Sequence, residues 1–324
     1  MRAVVVTRFG GPEVMALDDV PVPLAGAGEV LVEVAVAGVT FVETQIRAGT
    51  DPYHERPELP FIPGGMVAGR VRAVGSGVDA AWLGQRVLAG TGTTGGFAER
   101  AVAAVEALIP VPDGLELTDA VALHTDGSTA VGLAEGARIK PGDWVLVEAA
   151  AGGLGSVLVQ LAVAAGAHVI GAARGTRKLD AVRDLGAAVA VDYSEPGWTD
   201  RVREATGGAG PDVVFDGVGG AIGRAAFEVT ARGGRFSVHG ASSGEATVVD
   251  PEEAALRGVE VLPIQQLFGF GPNMPRWAGE VLAAAAAGRV RPMIGQTYPL
   301  ERAAEAHAAI ETRQALGKTL ITVS

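Results

Sequence analysis

The stretch Trp144-Val-Leu-Val-Glu-Ala-Ala-Ala-Gly-Gly-Leu-Gly155, followed by an apolar run of helical character, decides the fold. Trp144–Glu148 reads as a buried strand that passes through a tight turn of small residues into a helix. Such a turn delivers a pyrophosphate to a helix N-terminus, where unpaired backbone N–H groups and the helix dipole favour negative charge. Only small residues let the backbone approach the phosphates and let the helix lie close on the strand. Against the pattern G-x-G-x-x-G, Ala150 takes the first place while Gly152 and Gly155 keep the other two. A strand before the motif and a helix after it give it the weight that it lacks alone. Ala151, Gly152, Gly153, Leu154 and Gly155 are therefore candidate cofactor-binding residues.

The next strand, His168-Val-Ile-Gly-Ala-Ala173, arrives where an NAD-binding fold sets an acid on the ribose 2′-OH. No acid occurs between Ser156 and Leu179, and the strand runs instead into Arg174-Gly-Thr-Arg177-Lys178. Three cations without a carboxylate suit the 2′-phosphate of NADP, which arginine grips through charge-assisted hydrogen bonds. Arg177 and Lys178 also read as a solvated first helical turn. Cations are mildly unfavourable at that end of a helix, so an anion explains them better. The expected cofactor is NADPH.

From this turn onward the pattern alternates. Strands are expected at Trp144–Glu148, His168–Ala172, Ala188–Asp192, Asp212–Asp216, Gly234–His239 and Val259–Pro263. Helices are expected at Gly153–Ala165, Lys178–Leu185, near Thr199–Thr206 and at Ala221–Thr230. Buried strands alternating with helices mean an α/β fold with a doubly wound parallel (Rossmann) sheet. The first half differs: Ala3–Thr7, Glu29–Ala37, Met66–Val74, Arg86–Ala89 and Phe97–Val102 are short Val-rich strands separated by Gly and Pro, with almost no helical pattern before Thr118. That is a β-rich domain of barrel-like type. The tail from Gln265 shows a helix (Pro275–Ala287), a strand, a helix (Leu300–Thr312) and a last strand, Lys318–Val323. It is expected to rejoin the first domain, with the ligand cleft between the two. The division is thus 123–264 for dinucleotide binding, and 1–122 with 265–324 for substrate.

At 324 residues the chain is long enough for two domains. It has no cysteine, which excludes disulfides, thiol catalysis and thiolate zinc sites. A net charge of −11 argues against nucleic-acid partners and acidic membrane surfaces. No apolar run has the length of a membrane span. Met1-Arg-Ala-Val-Val-Val reads as a strand, not a signal peptide, so a cytoplasmic location is expected. The Ala-rich segment Leu282–Ala287 reads as an ordinary helix.

Further motifs carry a resemblance: Thr40-Phe-Val-Glu-Thr-Gln-Ile-Arg-Ala-Gly49, Leu59-Pro-Phe-Ile-Pro-Gly64, Gly95-Gly-Phe-Ala-Glu99, Asp216-Gly-Val-Gly219, Gly240-Ala-Ser-Ser-Gly244 and Leu316-Gly-Lys-Thr-Leu320. With the Ala-led turn they resemble the zinc-independent quinone oxidoreductases of the medium-chain dehydrogenase/reductase superfamily, over nearly the whole chain. The resemblance implies a GroES-like substrate domain beside the Rossmann domain. Zinc-using relatives carry a Cys near position 40 and Gly-His-Glu after the Pro-Gly, whereas this chain has Thr40 and Gly64-Gly-Met66. Its five histidines (54, 124, 168, 239 and 307) show no metal-ligand spacing, so no metal site is expected.

By the same resemblance, Lys178 and Tyr193 hold the 2′-phosphate, with Arg174 and Arg177 as further candidates. Tyr193 also reads as a plain strand-end aromatic. Arg313 and Lys318 match cofactor-side positions, and Thr125 or Thr129 matches a nicotinamide-contacting threonine. Gly217 and Val218, and Gly240, Ala241 and Ser242, lie in loops that run past the ribose and nicotinamide. Gln266, Phe268 and Phe270 are candidate pocket walls. On the substrate side the chain departs from the family, with Thr40 where Asn is common and Gln45 where Tyr is common. Tyr53 is a candidate proton donor, or simply a surface aromatic in a turn.

The implied function is hydride transfer from NADPH to a quinone or to the β-carbon of an α,β-unsaturated carbonyl, a small-molecule substrate. A second reading is an enoyl-thioester reductase, which asks for a basic strip; Arg47, Arg56 and Arg276 are its candidates. A third is an NADPH-binding structural or sensor protein without turnover. The resemblance also implies a homodimer through the Rossmann domain, with Val259–Pro263 as the pairing edge.

Overall fold

In the computed structural model, which describes residues 1–323, internal packing separates the chain into two units. Met1–Thr125 and the chain from Leu282 onward form one, and Asp126–Val281 form the other. In the first, β1 (Arg2–Val6) and β2 (Met15–Asp19) pair antiparallel. The organising strand is β3 (Glu29–Val39), which takes β4 (Met66–Val74) along one edge. Val30, Val32 and Val34 face the core at the period of two that a strand imposes. A bulge then interrupts the register between Val34 and Val36, and the core side passes to Ala37 and Val39. One extra residue reverses the side-chain alternation, so both halves of a long strand serve one core.

Directly after β3 the chain forms a helix, α1 (Phe41–Ala48), where the sequence pattern suggested none. Its start is a capping pair: the Thr40 N–H donates to Glu43 Oε2 at 2.7 Å. Gly49, at φ 73°, closes it in the left-handed conformation that glycine adopts without strain. The sheet continues through β5 (Arg86–Gly90), β6 (Arg100–Ala104) and β7 (Leu108–Pro110), with β6 on the other edge of β3. The expected strand at Phe97–Val102 begins later because Phe97 and Ala98 are used against β1, where the Val4 N–H donates to the Phe97 carbonyl at 2.9 Å.

After α2 (Leu117–Ala137), the second unit alternates strand and helix: β8 (Trp144–Glu148), α3 (Gly153–Ala164), β9 (His168–Ala173), α4 (Thr176–Asp184), β10 (Val189–Asp192), α5 (Trp198–Ala205), β11 (Val213–Asp216), α6 (Gly220–Val229), β12 (Arg235–Val238), α7 (Pro251–Arg257) and β13 (Glu260–Leu262). All pairings are parallel in the order β10-β9-β8-β11-β12-β13. The strand order therefore reverses beside β8, which is the doubly wound arrangement. Helix α7 was not read from the sequence, although Asp250 caps the Glu252 N–H, Pro251 opens it and Gly258 closes it.

The unit boundary lies further along than position 264 because the following segment stays on the parallel sheet. The Gln266 amide donates to Ser237 Oγ and to the carbonyls of Val238 and Leu262. In α8 (Met274–Ala286), the Trp277 indole donates to Glu135 at 2.8 Å and its ring meets Phe270 edge-on. A Cβ on Gly132 would lie 2.7 Å from that indole, so the glycine makes room for it. The chain then adds β14 (Ile294–Pro299), α9 (Ala303–Glu311) and β15 (Lys318–Thr322), and β15 pairs antiparallel with Val36–Val39 of β3. Among the described residues no helix is long and apolar enough to cross a membrane.

The first unit buries an uncommon pair. Arg47 of α1 is fully buried, and only its Nη2 is engaged, by the Thr44 carbonyl and Glu311 of α9. Beside it, His307 has no partner on either ring nitrogen and takes the edge of Phe97. Burial, then the Arg47 charge, lower its pKa to about 3. A buried guanidinium is tolerated only while its counter-charge is present. Glu311→Gln is therefore expected to lower the unfolding free energy at neutral pH by about 3 kcal/mol, read by urea denaturation. An unchanged midpoint and slope would show that solvent, not Glu311, compensates Arg47.

Candidate functional site

The carboxyl ends of β8, β9, β11 and β12 converge on one edge of the parallel sheet, beside the reversal in strand order. Ala149, the first residue after β8, has φ 53°, a left-handed conformation that strains a residue with a Cβ. The strain persists because its neighbours over-determine it. The Ala149 carbonyl accepts the Gly152 N–H at 2.8 Å, and the Ala150 N–H donates to Ala172 of β9 at 3.0 Å. A Cβ on Gly155 would stand 2.3 Å from the Ala149 oxygen and 2.9 Å from the Ala150 Cα, so only glycine lets α3 come this close. Helix α3 starts at Gly152 with no side-chain cap and no acid in its first turn. Its first N–H groups thus lack intrahelical acceptors and carry the positive end of the helix dipole, which fits a pyrophosphate. Ala151 is buried, while Gly152, Gly153 and Leu154 are half-exposed on the open side.

At the end of β9, Arg174 and Arg177 are exposed and Lys178 is half-buried. Asp192, at the end of β10, organises this turn: Oδ2 accepts the Gly175 N–H at 2.7 Å, and Oδ1 accepts the Ser194 N–H at 2.8 Å and hydroxyl at 2.5 Å. Burial works against its charge, but these donors and the Arg174 charge hold the carboxyl below the usual range. Since Ala173 and Asp192 are register partners, Arg174 and Tyr193 leave the sheet side by side. Tyr193 is half-buried and packs against the core of this unit. The sequence signals did not include Asp192, whose oxygens are committed to the turn.

The loops after β11 and β12 interlock through backbone. A Cβ on Gly240 would lie 2.6 Å from the Gly217 carbonyl, and one on Gly219 would lie 2.0 Å from the Glu245 carbonyl. The Ser243 N–H donates to Val218 at 2.8 Å. Gly217, Ala241 and Ser242 are partly open while Val218 is buried. Asp216 shapes this region, its Oδ1 accepting the N–H groups of Val218 at 2.9 Å and Gly219 at 2.8 Å, its Oδ2 the Thr247 hydroxyl at 2.6 Å. Phe268 is exposed in a short 3-10 turn, Ile264–Gly269, Gln266 is consumed by sheet carbonyls, and Phe270 packs on Trp277. Thr129 is half-buried in α2.

The remaining sequence-predicted residues belong to the first unit. Thr40 caps α1 and Gln45 is half-buried on it, its carbonyl accepting the Thr50 N–H at 3.0 Å. Glu43, between them, accepts the Thr40 and Gly65 N–H groups. Burial raises its pKa against the pull of these bonds and of Lys318, which is only 4% exposed in β15. Lys318 thus faces a carboxylate inside its own unit. Arg313, at φ 61°, sets its guanidinium 5.5 Å from the Phe41 ring centre. Tyr53 is 50% exposed in a turn that Asp51 ties by accepting its N–H and that of His54. Thr125 lies 3.4 Å from His124 Nδ1. Of the arginines considered for a thioester arm, Arg47 is buried and Arg56 stacks on Phe9, and in the second unit Arg276 pairs with Glu135 and Glu280. Among the described residues no three His, Asp or Glu side chains group as metal ligands.

Comparison with known proteins bears on this arrangement. Residues 26–113 match the family model described as the alcohol dehydrogenase GroES-like domain, and residues 153–278 the one described as zinc-binding dehydrogenase. The rat quinone oxidoreductase is 34% identical over 99% of this chain and 97% of its own length. The chain belongs to the quinone oxidoreductase family of the medium-chain dehydrogenases/reductases. Within the superfamily, a 2-haloacrylate reductase from a Burkholderia species is 32% identical over 99% of this chain and 98% of its own. The Escherichia coli quinone oxidoreductase, solved in complex with NADPH, is 29% identical, with a TM-score of 0.90 over 99% of this chain and 100% of that one.

A small side chain at the central turn tests its packing. Gly155→Ala is expected to lose about 2 kcal/mol of stability through overpacking against Ala149. Gly279→Ala, where a Cβ meets nothing within 4 Å on α8, should gain about 0.5 kcal/mol. Chemical denaturation of both variants side by side would expose an error if the two shifts had the same sign.

Proposed function

We propose that this chain is a zinc-independent, NADPH-dependent reductase of quinones or α,β-unsaturated carbonyls. The observation that carries the reading is the trio Arg174, Arg177 and Lys178 at the end of β9, beside an uncapped helix N-terminus at the sheet's reversal point. In this reading the N–H groups of Gly153 to Gly155 take the pyrophosphate and the three cations take the 2′-phosphate, with Tyr193 packing beside them. NADPH, when bound, supplies the hydride; the chain's own task is to bind, orient and exclude water.

The Gly217–Gly219 and Gly240–Ser242 loops give the ribose and nicotinamide a surface of backbone groups with few side chains in the way. Thr125, Thr129, Phe268, Arg313 and Lys318 remain candidates for cofactor contact. Of these, buried Lys318 fits best as the partner of Glu43. On the substrate side Thr40 and Gln45 offer a hydroxyl and an amide, which can stabilise a developing enolate or quinol oxygen without titrating. Tyr53, with its half-exposed phenol, is the candidate proton donor.

A relative named for reducing a 2-haloacrylate, an alkene conjugated to a carboxylate, supports the enone arm alongside the quinone arm. The enoyl-thioester reading is weaker, since two of its three arginines are occupied elsewhere. Edge strand β13 offers its free side to a second copy, so a homodimer is part of this proposal.

Arg174→Glu combined with Lys178→Glu should weaken NADPH by at least about tenfold, given about 1.5–3 kcal/mol for each charge-assisted bond lost, while NADH affinity changes little. Equal losses for both cofactors would remove the assignment of this cluster. Turnover with a 1,4-quinone, an alkyl enone and a crotonyl thioester then separates the substrate classes.

A further inference from the structure

Glu148 ends β8 with 0% of its surface exposed, and neither carboxylate oxygen has a hydrogen-bond donor. The sheet register explains its company. Ala172 is its partner on β9, Val147 beside it pairs with Phe215, and Asp216 pairs with Val238. One row across the sheet therefore reads Ala172, Glu148, Asp216, Val238. Two carboxyl groups stand on neighbouring strands, about 4.8 Å apart in the pairing direction, between apolar residues. Asp216 is also fully buried.

A buried carboxyl group is harder to ionise beside a second one. The distribution of donors decides which one keeps the proton. Val218, Gly219 and Thr247 all donate to Asp216, and none donates to Glu148. Glu148 is thus the carboxyl left without a donor, one strand over from Asp216. Burial first, and then the Asp216 charge, raise the Glu148 pKa well above the carboxylate range.

Among the described residues no counter-charge relieves the pair. His239, beyond β12, lies 6.4 Å from Phe215 between ring centres, with Nδ1 unpartnered, and burial lowers its pKa to about 4. It is neutral near pH 7. A Cβ on Gly217 would fall 2.8 Å from its Nε2, so the ring also closes down on the turn. From α6, Gly223 faces Asp216, and the adjacent Arg224 is taken by Glu228 and Glu253. From α3, the Ser156 hydroxyl turns back to the Gly153 carbonyl.

We propose that Glu148 is a positioning residue for dinucleotide binding: its carboxylic acid, hydrogen-bonded to Asp216, clamps the Gly217–Gly219 turn in the shape the nucleotide meets. This rests on the reading of that turn as a cofactor-contacting loop. Loss of the Glu148 proton sets two anions side by side, loosens Asp216 from the Val218 and Gly219 amides, and frees the turn. Because the folded-state pKa lies above the unfolded value, the stability Glu148 contributes is complete below about pH 4.5 and is lost as pH rises through the raised pKa. Cofactor affinity follows the same direction.

The test measures NADPH binding by its fluorescence, and thermal unfolding of the cofactor-free protein, between about pH 5 and about pH 10. Wild type, Glu148→Gln and Glu148→Ala are compared. Glutamine keeps the shape and a donor but has no proton to lose. The wild type is expected to lose affinity by up to about tenfold per pH unit above the raised pKa, while its Tm falls relative to Glu148→Gln between about pH 4.5 and that pKa. Glu148→Gln should bind NADPH as the wild type does at pH 7 and stay flat in both measurements, and Glu148→Ala should bind weakly throughout. A Glu148→Gln variant that follows the wild-type profile, or a wild type that is itself flat, overturns the clamp. Absence of NADPH binding at every pH, with a Tm profile that Glu148→Gln flattens, overturns the nucleotide reading instead and with it the clamp's role.

Discussion

The second unit depends on one steric constraint: the backbone after β8 must turn within contact distance of the helix that follows. Ala149 accepts a left-handed conformation, and Gly155 gives up its side chain so that α3 can rest on the Ala149 carbonyl. Because β8 sits between β9 and β11, the chain leaves this point toward one edge of the sheet and later returns toward the other. That reversal leaves the first turn of α3 uncovered, and the uncovered amides are what an anion can use. Fold and binding chemistry are thus set by the same few atoms.

Around that point two of the loops are held by carboxylates that accept from backbone N–H groups. Asp192 fastens the cationic turn through Gly175 and Ser194, and Asp216 fastens the next loop through Val218 and Gly219. In the first unit Glu43 does the same for Thr40 and Gly65. Glycine-rich loops need such anchors, because residues without a Cβ lose more conformational entropy on ordering. These carboxylates hold backbone still, while Arg174 and Arg177 stay exposed at the end of β9.

The parts of this architecture that depend on local pattern were legible in the sequence. The strands of the parallel sheet alternate with apolar helical faces, and their expected bounds fall within a residue or two of those observed, as at Trp144–Glu148 and Asp212–Asp216. Helices α1 and α7 were missed although Thr40 with Glu43, and Asp250-Pro251 with Gly258, are capping signals; both helices are short, and α1 buries Glu43, Thr44 and Arg47 beside Ile46. The segment 265–281 was assigned to the wrong side of the boundary because its anchors, Gln266 to Ser237 and Trp277 to Glu135, are tertiary. Glu148 and His239 were read only as strand ends, and Asp216 only as the first residue of the Asp216-Gly-Val-Gly219 motif. They lie far apart in sequence, and the strand order brings Glu148 and Asp216 into one row, with His239 just past Val238 at its end.

The same division explains why the cofactor side is more legible than the substrate side. A dinucleotide is held largely by backbone amides, and the need for close approach leaves glycines and alanines at fixed spacing. A small-molecule substrate is held by a few side chains whose identity the fold does not constrain. Thr40 is required here as a helix cap, whatever else it does, and a cap accepts Ser, Asp or Asn equally well. Gln45 is half-buried on a helix whose packing is carried by Ile46 and Arg47. Neither position is forced by stability toward its present residue, and selection for the substrate is free to act on both.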